Sequence, residues 1–408
     1  MGRLGVITGG LPRTFWYLWA GTLVNRVGAF VVVFLAIYLT GERGFSVAYA
    51  GLVLGLYGAG GAAGTTIGGV LADRWGRRPT LLTAHLGAVV MMLVLGTATH
   101  PVAIAAAAGV LGVFAEGVRP AFAAMVIDVV PPADRLRAYN LNYWAINLGF
   151  ALSAMLAGLA AEVDYLLLFL VDAGTNLLTA IIVFVKVPET RPARAGPAGD
   201  QGTGTRRISL STVLGDRVFM VFVLLNLGIG LVFMQHLSAL PVAMRADGLS
   251  PSTFGWVIAL NGVLIVTGQL FIPRLLRGRG HSTALAMAAA IVGIGFGFTA
   301  LADTAAMYAA TVLVWTLGEM INAPSTSVVL AELAPAAARG RYQGMYALSW
   351  QVAAFGAPTL GGFVQQHAGD TALWLGCAGL AGLVAVGHLL YRPARERRAA
   401  ELLVDLAV

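Results

Sequence analysis

Long apolar runs set the first limit on what this chain can fold into. Of its 408 residues, 58% are hydrophobic and only 11% are charged, whereas a soluble protein has about 25% charged residues. A helix that crosses a bilayer needs about 20 mostly apolar residues. We therefore predict an all-α membrane protein in the lipid bilayer, with twelve transmembrane helices at 15–40, 48–72, 80–99, 102–128, 138–161, 164–186, 217–243, 250–273, 281–302, 305–331, 342–366 and 371–391.

The distribution of basic residues predicts the orientation. If both termini are cytoplasmic, the outer loops contain only Arg43 and Arg245, and the inner segments contain the other arginines that lie between spans. Inner loops of membrane proteins carry an excess of Lys and Arg. We therefore predict a multi-pass protein of the cell membrane with cytoplasmic termini. The net charge of +7 reflects this bias and does not indicate a nucleic-acid partner.

The chain divides into two similar halves. Glu116-x-x-x-Pro120 corresponds to Glu319-x-x-x-x-Pro324, and Arg135 corresponds to Arg339. Transporters built from repeats place their substrate near the bilayer midplane, between the repeats. The stretch between the halves has no apolar periodicity, which is typical of a linker. The predicted units are a six-helix bundle at 1–187, a cytoplasmic linker at 188–214, a second six-helix bundle at 215–391 and a cytoplasmic tail at 392–408.

A charged turn separates the second and third apolar runs. Its sequence is Gly69-Val70-Leu71-Ala72-Asp73-Arg74-Trp75-Gly76-Arg77-Arg78. Charges inside lipid cost about 2.5–3.5 kcal/mol each or more, so both helices must end at this turn. The stretch resembles the signature loop between the second and third helices of the major facilitator superfamily. The resemblance extends over essentially the whole chain and implies that family's fold, two pseudo-symmetric six-helix bundles that act as a transporter.

The same resemblance implies a gate at the cytoplasmic surface. The residues that match are Gly69, Asp73, Arg74, Gly76 and Arg77 in the loop, together with Asp128 at the end of the fourth span. An acidic residue at the latter position commonly meets the loop arginine in this family. We therefore expect a charge cluster of Asp73, Arg77 and Asp128 that holds the outward-open state; an ordinary solvated helix end is the alternative.

Ionisable side chains inside the predicted spans are candidates for proton coupling. Glu116 and its repeat partner Glu319 are the proposed proton carriers. Glu116 and Arg119 are three residues apart on one helix, so they share a face and can pair. The alternative for either glutamate is a static ion pair that locks helices together. Asp172, in the sixth span, is expected to form a hydrogen bond within the bundle, and His236 is expected to be a hydrogen-bonded histidine.

Aromatic and amide side chains lie on spans that the resemblance places around a central cavity. A mostly apolar pocket with a few polar groups suits an amphipathic ligand. The predicted substrate-cavity residues are Asn25, Arg26, Tyr57, Arg119, Tyr143, Trp144, Asn147, Gln235, His236, Asn261, Trp315, Trp350 and Gln351.

The Pro-Glu-Thr sequence at 188–190 makes the chain similar to the drug:proton antiporter branch of the family. Gly149-x-x-x-Ser153-Ala154-x-x-Ala157-Gly158 keeps the small residues of that branch's fifth helix but lacks its proline. We predict proton-coupled export of drug-like or amphipathic small molecules. Proton-coupled import or facilitated entry of sugars, peptides or organic anions is the alternative, and Arg26 and Arg119 favour an anion.

The chain carries no phosphate-binding loop, no hydrolase motif and a single cysteine, Cys377. A built-in ATP engine would need a Gly-x-x-x-x-Gly-Lys-Ser/Thr loop, and one thiol makes neither a disulfide nor a metal site. We therefore predict no enzyme activity, no cofactor and no metal site. Since a transport pathway would lie within one chain, we expect a functional monomer.

Overall fold

The computed structural model describes residues 10–191, 210–278, 280–335 and 338–407, which are almost entirely helical. Most of the predicted linker, 192–209, and the first nine residues lie outside the described residues. The helices are α1 Arg13–Val27, α2 Phe30–Ile37, α3 Val47–Arg74, α4 Arg77–Thr97, α5 Pro101–Val129, α6 Arg135–Val163, α7 Leu166–Lys186, α8 Leu210–Gly215, α9 Arg217–Phe233, α10 Gln235–Ala246, α11 Pro251–Gly268, α12 Ile272–Leu275, α13 His281–Phe298, α14 Ala305–Leu333, α15 Arg339–Ala368, α16 Asp370–Leu390 and α17 Arg392–Ala407.

Ten helical stretches of the described residues are long and apolar enough to cross a membrane. Each coincides with a predicted span to within a few residues. The predicted tenth and eleventh spans are also helical, as α14 and α15, with 29 and 30 residues. At 1.5 Å per residue they are longer than the ~30 Å hydrocarbon core, but polar side chains such as Glu319 and Arg339 lower their mean hydropathy. The total of twelve crossings stays a prediction.

Two of the long spans are broken near their middle, which the sequence analysis did not predict. Gly28 and Ala29 separate α1 from α2, and Met234 separates α9 from α10. The break in the first span contains an i to i+2 hydrogen bond, from the Phe30 N–H to the Gly28 carbonyl at 2.8 Å. Ala29 has φ −74° and ψ 63°, the dihedral angles of an inverse γ-turn.

We name the two ends of the bundle by α3. The end at which α3 finishes and α4 begins is the basic end, and the end at which α3 begins is the far end. Helices α1 to α7 form the first group and α8 to α17 the second. The predicted domain boundaries stay a prediction. Helix α8 lies within the predicted linker and was not predicted by the sequence analysis.

Glycines allow the two groups to approach closely in the far half of the bundle. A Cβ at Gly51 would overlap the Pro358 carbonyl on α15, and a Cβ at Gly58 would lie 2.5 Å from the Ala354 carbonyl. On the other side, a Cβ at Gly262 would lie 2.8 Å from the Asn147 carbonyl. Small residues at such crossings let backbones pack without a gap.

Polar and aromatic contacts close the far end further. The Ala48 N–H donates to Oε1 of Gln366 at 2.8 Å, and the Ser252 hydroxyl donates to the Glu162 carboxylate. The rings of Phe34 and Phe254 meet edge to face, with centroids 5.3 Å apart. Toward the basic end, by contrast, the side chain of Arg119 on α5 faces the space between the groups and is 62% exposed. The space between the groups therefore opens toward the basic end.

The predicted cytoplasmic tail begins with a helix, α17, that packs against the basic end of the second group. Arg395 is buried and its guanidinium contacts Nδ1 of His388 at 2.8 Å. Arg398 lies 3.5 Å from the Asp216 carboxylate, which also accepts a hydrogen bond from the Tyr342 hydroxyl. The first part of the tail is therefore a docked helix.

Substitution of Gly51 tests the closed far end. In Gly51→Val the added side chain meets the Pro358 carbonyl. Overpacking of about 1–3 kcal/mol should lower the ratio of closed to open molecules at least about fivefold. The measurement is cross-linking of Ala48→Cys to Gln366→Cys by a short bifunctional thiol reagent, in a Cys377→Ser background. Gly376→Val is the matched control, since a Cβ at Gly376 meets nothing within 4 Å. Undiminished cross-linking in Gly51→Val would contradict the packing described here.

Candidate functional site

A cavity of about 530 Å³ lies between the two groups of helices. Both groups contribute to its wall, and most of the wall is apolar. Ionisable and amide side chains interrupt the apolar surface at a few points, which is the composition expected of a small-molecule site. The predicted residues that line it are Asn25, Arg26, Tyr57, Glu116, Arg119, Asn147, His236, Asn261, Glu319, Trp350 and Gln351.

Glu116 and Arg119 form an ion pair on α5. Oε2 of Glu116 lies 2.6 Å from Nε of Arg119, and the two side chains are 16% and 62% exposed, respectively. Gly61 on α3 makes room for Glu116, because a Cβ there would lie 2.8 Å from the glutamate Cγ. The carboxylate is therefore neutralised by a partner on its own helix.

Glu319 has a different environment. Its carboxylate accepts a hydrogen bond of 2.6 Å from Nδ2 of Asn261, which also donates to the Thr316 hydroxyl at 3.1 Å. Within the described residues, no Lys, Arg or His lies within ion-pair distance of Glu319. An ionised carboxylate without a cation is costly in a low-dielectric site. Compared with Glu116, which has Arg119 as its partner, Glu319 therefore gains more from taking up a proton.

A polar network beside the cavity was missed by the sequence analysis. Oδ1 of Asn176, on α7, lies 2.9 Å from Nδ1 of His85 and accepts a 2.9 Å hydrogen bond from Asn25. Nδ2 of Asn176 donates to Oδ1 of Asp172 at 3.0 Å. All four side chains line the cavity. Asp172 thus has the expected hydrogen bonds within the bundle. It also lies at the cavity wall. The one available signal was the spacing of Asp172 and Asn176, which places both on one helix face.

Four predicted cavity residues do not line the cavity. Gln235 is buried and donates to the Ala357 carbonyl at 2.9 Å, so it joins α10 to α15. Trp315 is 1% exposed and packs against the Phe296 ring, because its indole fills the interior of the second group. Tyr143 and Trp144 lie nearer the basic end of α6 and are each 44% exposed. Aromatic type and approximate depth did not distinguish these positions from the true wall.

His236 does line the cavity and has the hydrogen bond that was expected. Its Nδ1 lies 2.6 Å from the Phe233 carbonyl, across the break between α9 and α10. The ring also packs against Trp315, with centroids 5.6 Å apart. The histidine therefore stabilises the broken backbone as well as contributing to the wall.

At the basic end, the predicted charge cluster is centred on Arg77. Its Nε donates to Oδ2 of Asp128 at 3.1 Å, and its Nη1 donates to the Ala72 carbonyl at 2.8 Å. Asp73 is 3.5 Å from Arg77 but largely exposed. The cluster was expected to hold the outward-open state. All its members lie in the first group, and it is formed here while the far end is closed. Its role in holding one state stays a prediction.

Glu189 is a further member of the cluster that the sequence analysis did not single out. Its carboxylate accepts hydrogen bonds from the N–H groups of Arg77 and Arg78, at 3.0 and 3.1 Å, and so caps α4. Gly76 has φ 121°, and a Cβ there would overlap this carboxylate. Gly69 packs toward Pro120, and the Arg74 carbonyl accepts from Arg191 at 2.6 Å.

Partial burial pushes the pKa of Glu189 upward, but the backbone N–H donors of Arg191, Arg77, Arg78 and Thr190 outweigh it, and the pKa lies below its ordinary value of 4.5. A depressed pKa means that the folded state favours the ionised form. The stabilisation by Glu189 is therefore complete above pH 4.5 and is lost as the pH falls through the lower value of the folded protein.

The two acidic neighbours of Arg77 should differ in their contribution to stability. Asp128 is 17% exposed and also accepts a 3.0 Å hydrogen bond from Thr190, so Asp128→Ala should lower the free energy of unfolding by about 1–3 kcal/mol. Asp73→Ala is the matched control, because an exposed pair contributes about 0.2–1 kcal/mol. Thermal unfolding of the purified variants measures both. Equal losses would show that Asp128 is no more important than Asp73.

Comparison with known proteins shows which family this chain resembles in sequence. The sequence model of the family described as Major Facilitator Superfamily matches residues 18–358 and 237–403. The chain is 27% identical over 387 residues to the uncharacterized MFS-type transporter YttB of Bacillus subtilis (strain 168), covering 93% of this chain and 96% of that protein. It is 23% identical over 393 residues to the multidrug resistance protein MdtH of Aeromonas salmonicida (strain A449), covering 92% and 95%.

Solved structures with the same fold include two kinds of transporter. A POT family transporter in complex with 5-aminolevulinic acid has a TM-score of 0.80 at 13% identity, covering 95% of this chain and 98% of that one. The nucleoside transporter NupG has a TM-score of 0.78 at 14% identity, covering 93% and 99%. At such identities the likeness concerns the fold alone.

Proposed function

The chain belongs to the major facilitator superfamily, and on this premise we propose that it is a proton-coupled exporter of amphipathic small molecules. Members of this family are transporters and not enzymes, and the chain is a multi-pass membrane protein. The observation that carries the proposal is the cavity between the two groups. In its wall Glu319 accepts a hydrogen bond from Asn261 and, among the described residues, has no Lys, Arg or His within ion-pair distance. The similarity to MdtH, named a multidrug resistance protein, favours export of drug-like molecules.

Alternating access is the proposed mechanism. The first group, 1–187, would rock against the second, 215–391, about the glycine-lined crossings of the far half. With the basic end in the cytoplasm, as the arginine distribution predicts, the described state faces inward and can load substrate from the cytoplasm. Rocking would then break the Gly51 and Gly262 contacts and open the cavity outward. The proposed site is the cell membrane, and the proposed functional unit is one chain.

The proton step is proposed for Glu319. In the inward-facing cavity a protonated Glu319 avoids an uncompensated charge. Substrate entry and release of that proton to water would be coupled, because both use the same space. Glu116 is the second candidate, and its pairing with Arg119 makes it the weaker one.

Import or facilitated entry is the alternative. Its specific support is the presence of Arg26 and Arg119 at the cavity wall, which suits an organic anion. Resistance profiling in a pump-deficient host separates the two directions, since an exporter raises resistance to its substrates and an importer does not. Substrate accumulation in the direction of proton entry would overturn the proposal of export.

Glu319→Gln tests the coupling step. Glutamine keeps the size and an acceptor for Asn261 but cannot carry a proton, so accumulation driven by a pH gradient should be lost while counterflow exchange continues. The measurement uses proteoliposomes and a substrate found by the profiling above. Glu396→Gln is the control, because Glu396 is exposed and pairs with Arg392 on α17. If Glu319→Gln retains gradient-driven accumulation, Glu319 is not the proton carrier.

A further inference from the structure

We propose that the break in the first span is a binding subsite for an anionic group of the substrate, in which Arg26 contacts the anion and Asp172 is a positioning residue. The proposal rests on the function proposed above, since it assigns a substrate class to the same cavity. The expected ligand is an amphipathic molecule with a carboxylate or a group of similar charge and shape. Four observations support it: the free guanidinium, the contrast with Arg119, the side chains that hold the break and the alignment of the half-helices.

The first observation is that Arg26 has no partner of its own. It lies in the last turn of α1 and lines the cavity. Within the described residues its guanidinium has no hydrogen bond and no ion pair. An arginine presents five N–H donors in a planar fork that matches a carboxylate. A desolvated guanidinium without acceptors is unfavourable unless a ligand or water supplies them.

The second observation is the contrast with the other arginine at the wall. Arg119 is bound by Glu116 at 2.6 Å, and its side chain is 62% exposed toward the open end. Any ligand anion at Arg119 would have to compete with a carboxylate that is already in place. Within the described residues Arg26 has no carboxylate at ion-pair distance, and Glu116 and Asp172 act on it only from farther away. The structure therefore distinguishes two arginines that the sequence analysis treats alike.

The third observation is that side chains from two other helices hold the break open. Oδ2 of Asp172, from α7, accepts a 3.2 Å hydrogen bond from the N–H of Val31 in the first turn of α2. The hydroxyl of Ser153, from α6, donates to the Ala29 carbonyl at 2.9 Å. A Cβ at Gly28 would overlap Thr175. Backbone groups at membrane depth must be satisfied within the protein, and these side chains satisfy them.

The fourth observation is the direction of the half-helices. The C-terminus of α1 carries partial negative charge and favours the cation at Arg26, while the N-terminus of α2 carries partial positive charge and favours the acceptor oxygens of Asp172. Asp172 is 2% exposed and bound by backbone and Asn176. Both of its carboxyl oxygens are therefore occupied by hydrogen bonds at the break. The charge of Arg26, which the same break directs to the cavity, is left for a ligand.

The test uses two dyes that differ in one charge: a rhodamine with a free carboxylate and its methyl ester. Binding is measured by fluorescence anisotropy on the purified full chain in detergent, without a proton gradient. We expect the native protein to bind the free acid about tenfold more tightly than the ester, and Arg26→Gln to lose that preference through weaker binding of the acid. Arg397→Gln, an exposed arginine outside the cavity, should keep it.

Unchanged binding of the ester would show that the Arg26→Gln protein still forms the cavity. Arg26→Lys keeps the charge, so it should restore part of the preference for the acid. The inference is wrong if the native protein binds the acid no more tightly than the ester, or binds neither. It is also wrong if Arg26→Gln keeps the preference. Loss of gradient-driven transport with this preference intact would overturn the proposed function alone.

A positioning role of Asp172 and a purely electrostatic role predict different changes in the binding of the acid. Asp172→Leu removes a carboxyl group near the subsite, so a bystander would leave binding of the acid unchanged when Asp172 is protonated and make that binding tighter when Asp172 is ionised. If Asp172 holds the break that presents Arg26, the acid should bind several-fold more weakly, with ester binding unchanged. Tighter or equal binding of the acid would exclude the positioning role.

Discussion

A charge inside the bilayer needs a partner, and this requirement organises the interior of the protein. Most polar groups at membrane depth are satisfied within the fold: Glu116 by Arg119, and Asp172 by the backbone of α2. The partners come from the same helix or from a neighbour in the same group. Within the described residues, the Arg26 guanidinium has neither a hydrogen bond nor an ion pair, and Glu319 has a hydrogen bond but no ion pair. Because an unpaired charge in such a site is unfavourable, the cavity is suited to exchanging ligands and protons.

Close backbone contact provides the second constraint. In lipid there is no hydrophobic driving force between helices, so packing depends on fit. Glycines on α3 serve both interfaces of that helix. A Cβ at Gly64 would overlap the Val113 carbonyl on α5, within the first group, and one at Gly51 would overlap the Pro358 carbonyl on α15, in the second group. The same helix thus belongs rigidly to one group and forms a contact with the other that rocking could break.

Much of the fold could be predicted from the sequence. Helices occur at every predicted span, because apolar runs of membrane length admit few alternatives. The charged turn is also where it was placed, and Arg77 and Asp128 contact each other. The residues that were missed share one property: their roles depend on contacts between helices. His85 and Asn176 meet from α4 and α7, and Trp315 is removed from the cavity by rings on α9 and α13.

The sequence by itself determined the solvent, the helices, the family resemblance and the short list of ionisable residues in the spans, since each follows from local composition and spacing. The tertiary structure alone decided which of those residues have partners. It paired Arg119 and left Arg26 free, placed Asp172 at a helix break that no local pattern marks, and closed the bundle at one end. Helix packing determines these outcomes, because a side chain's charge balance depends on neighbours that are distant in the chain.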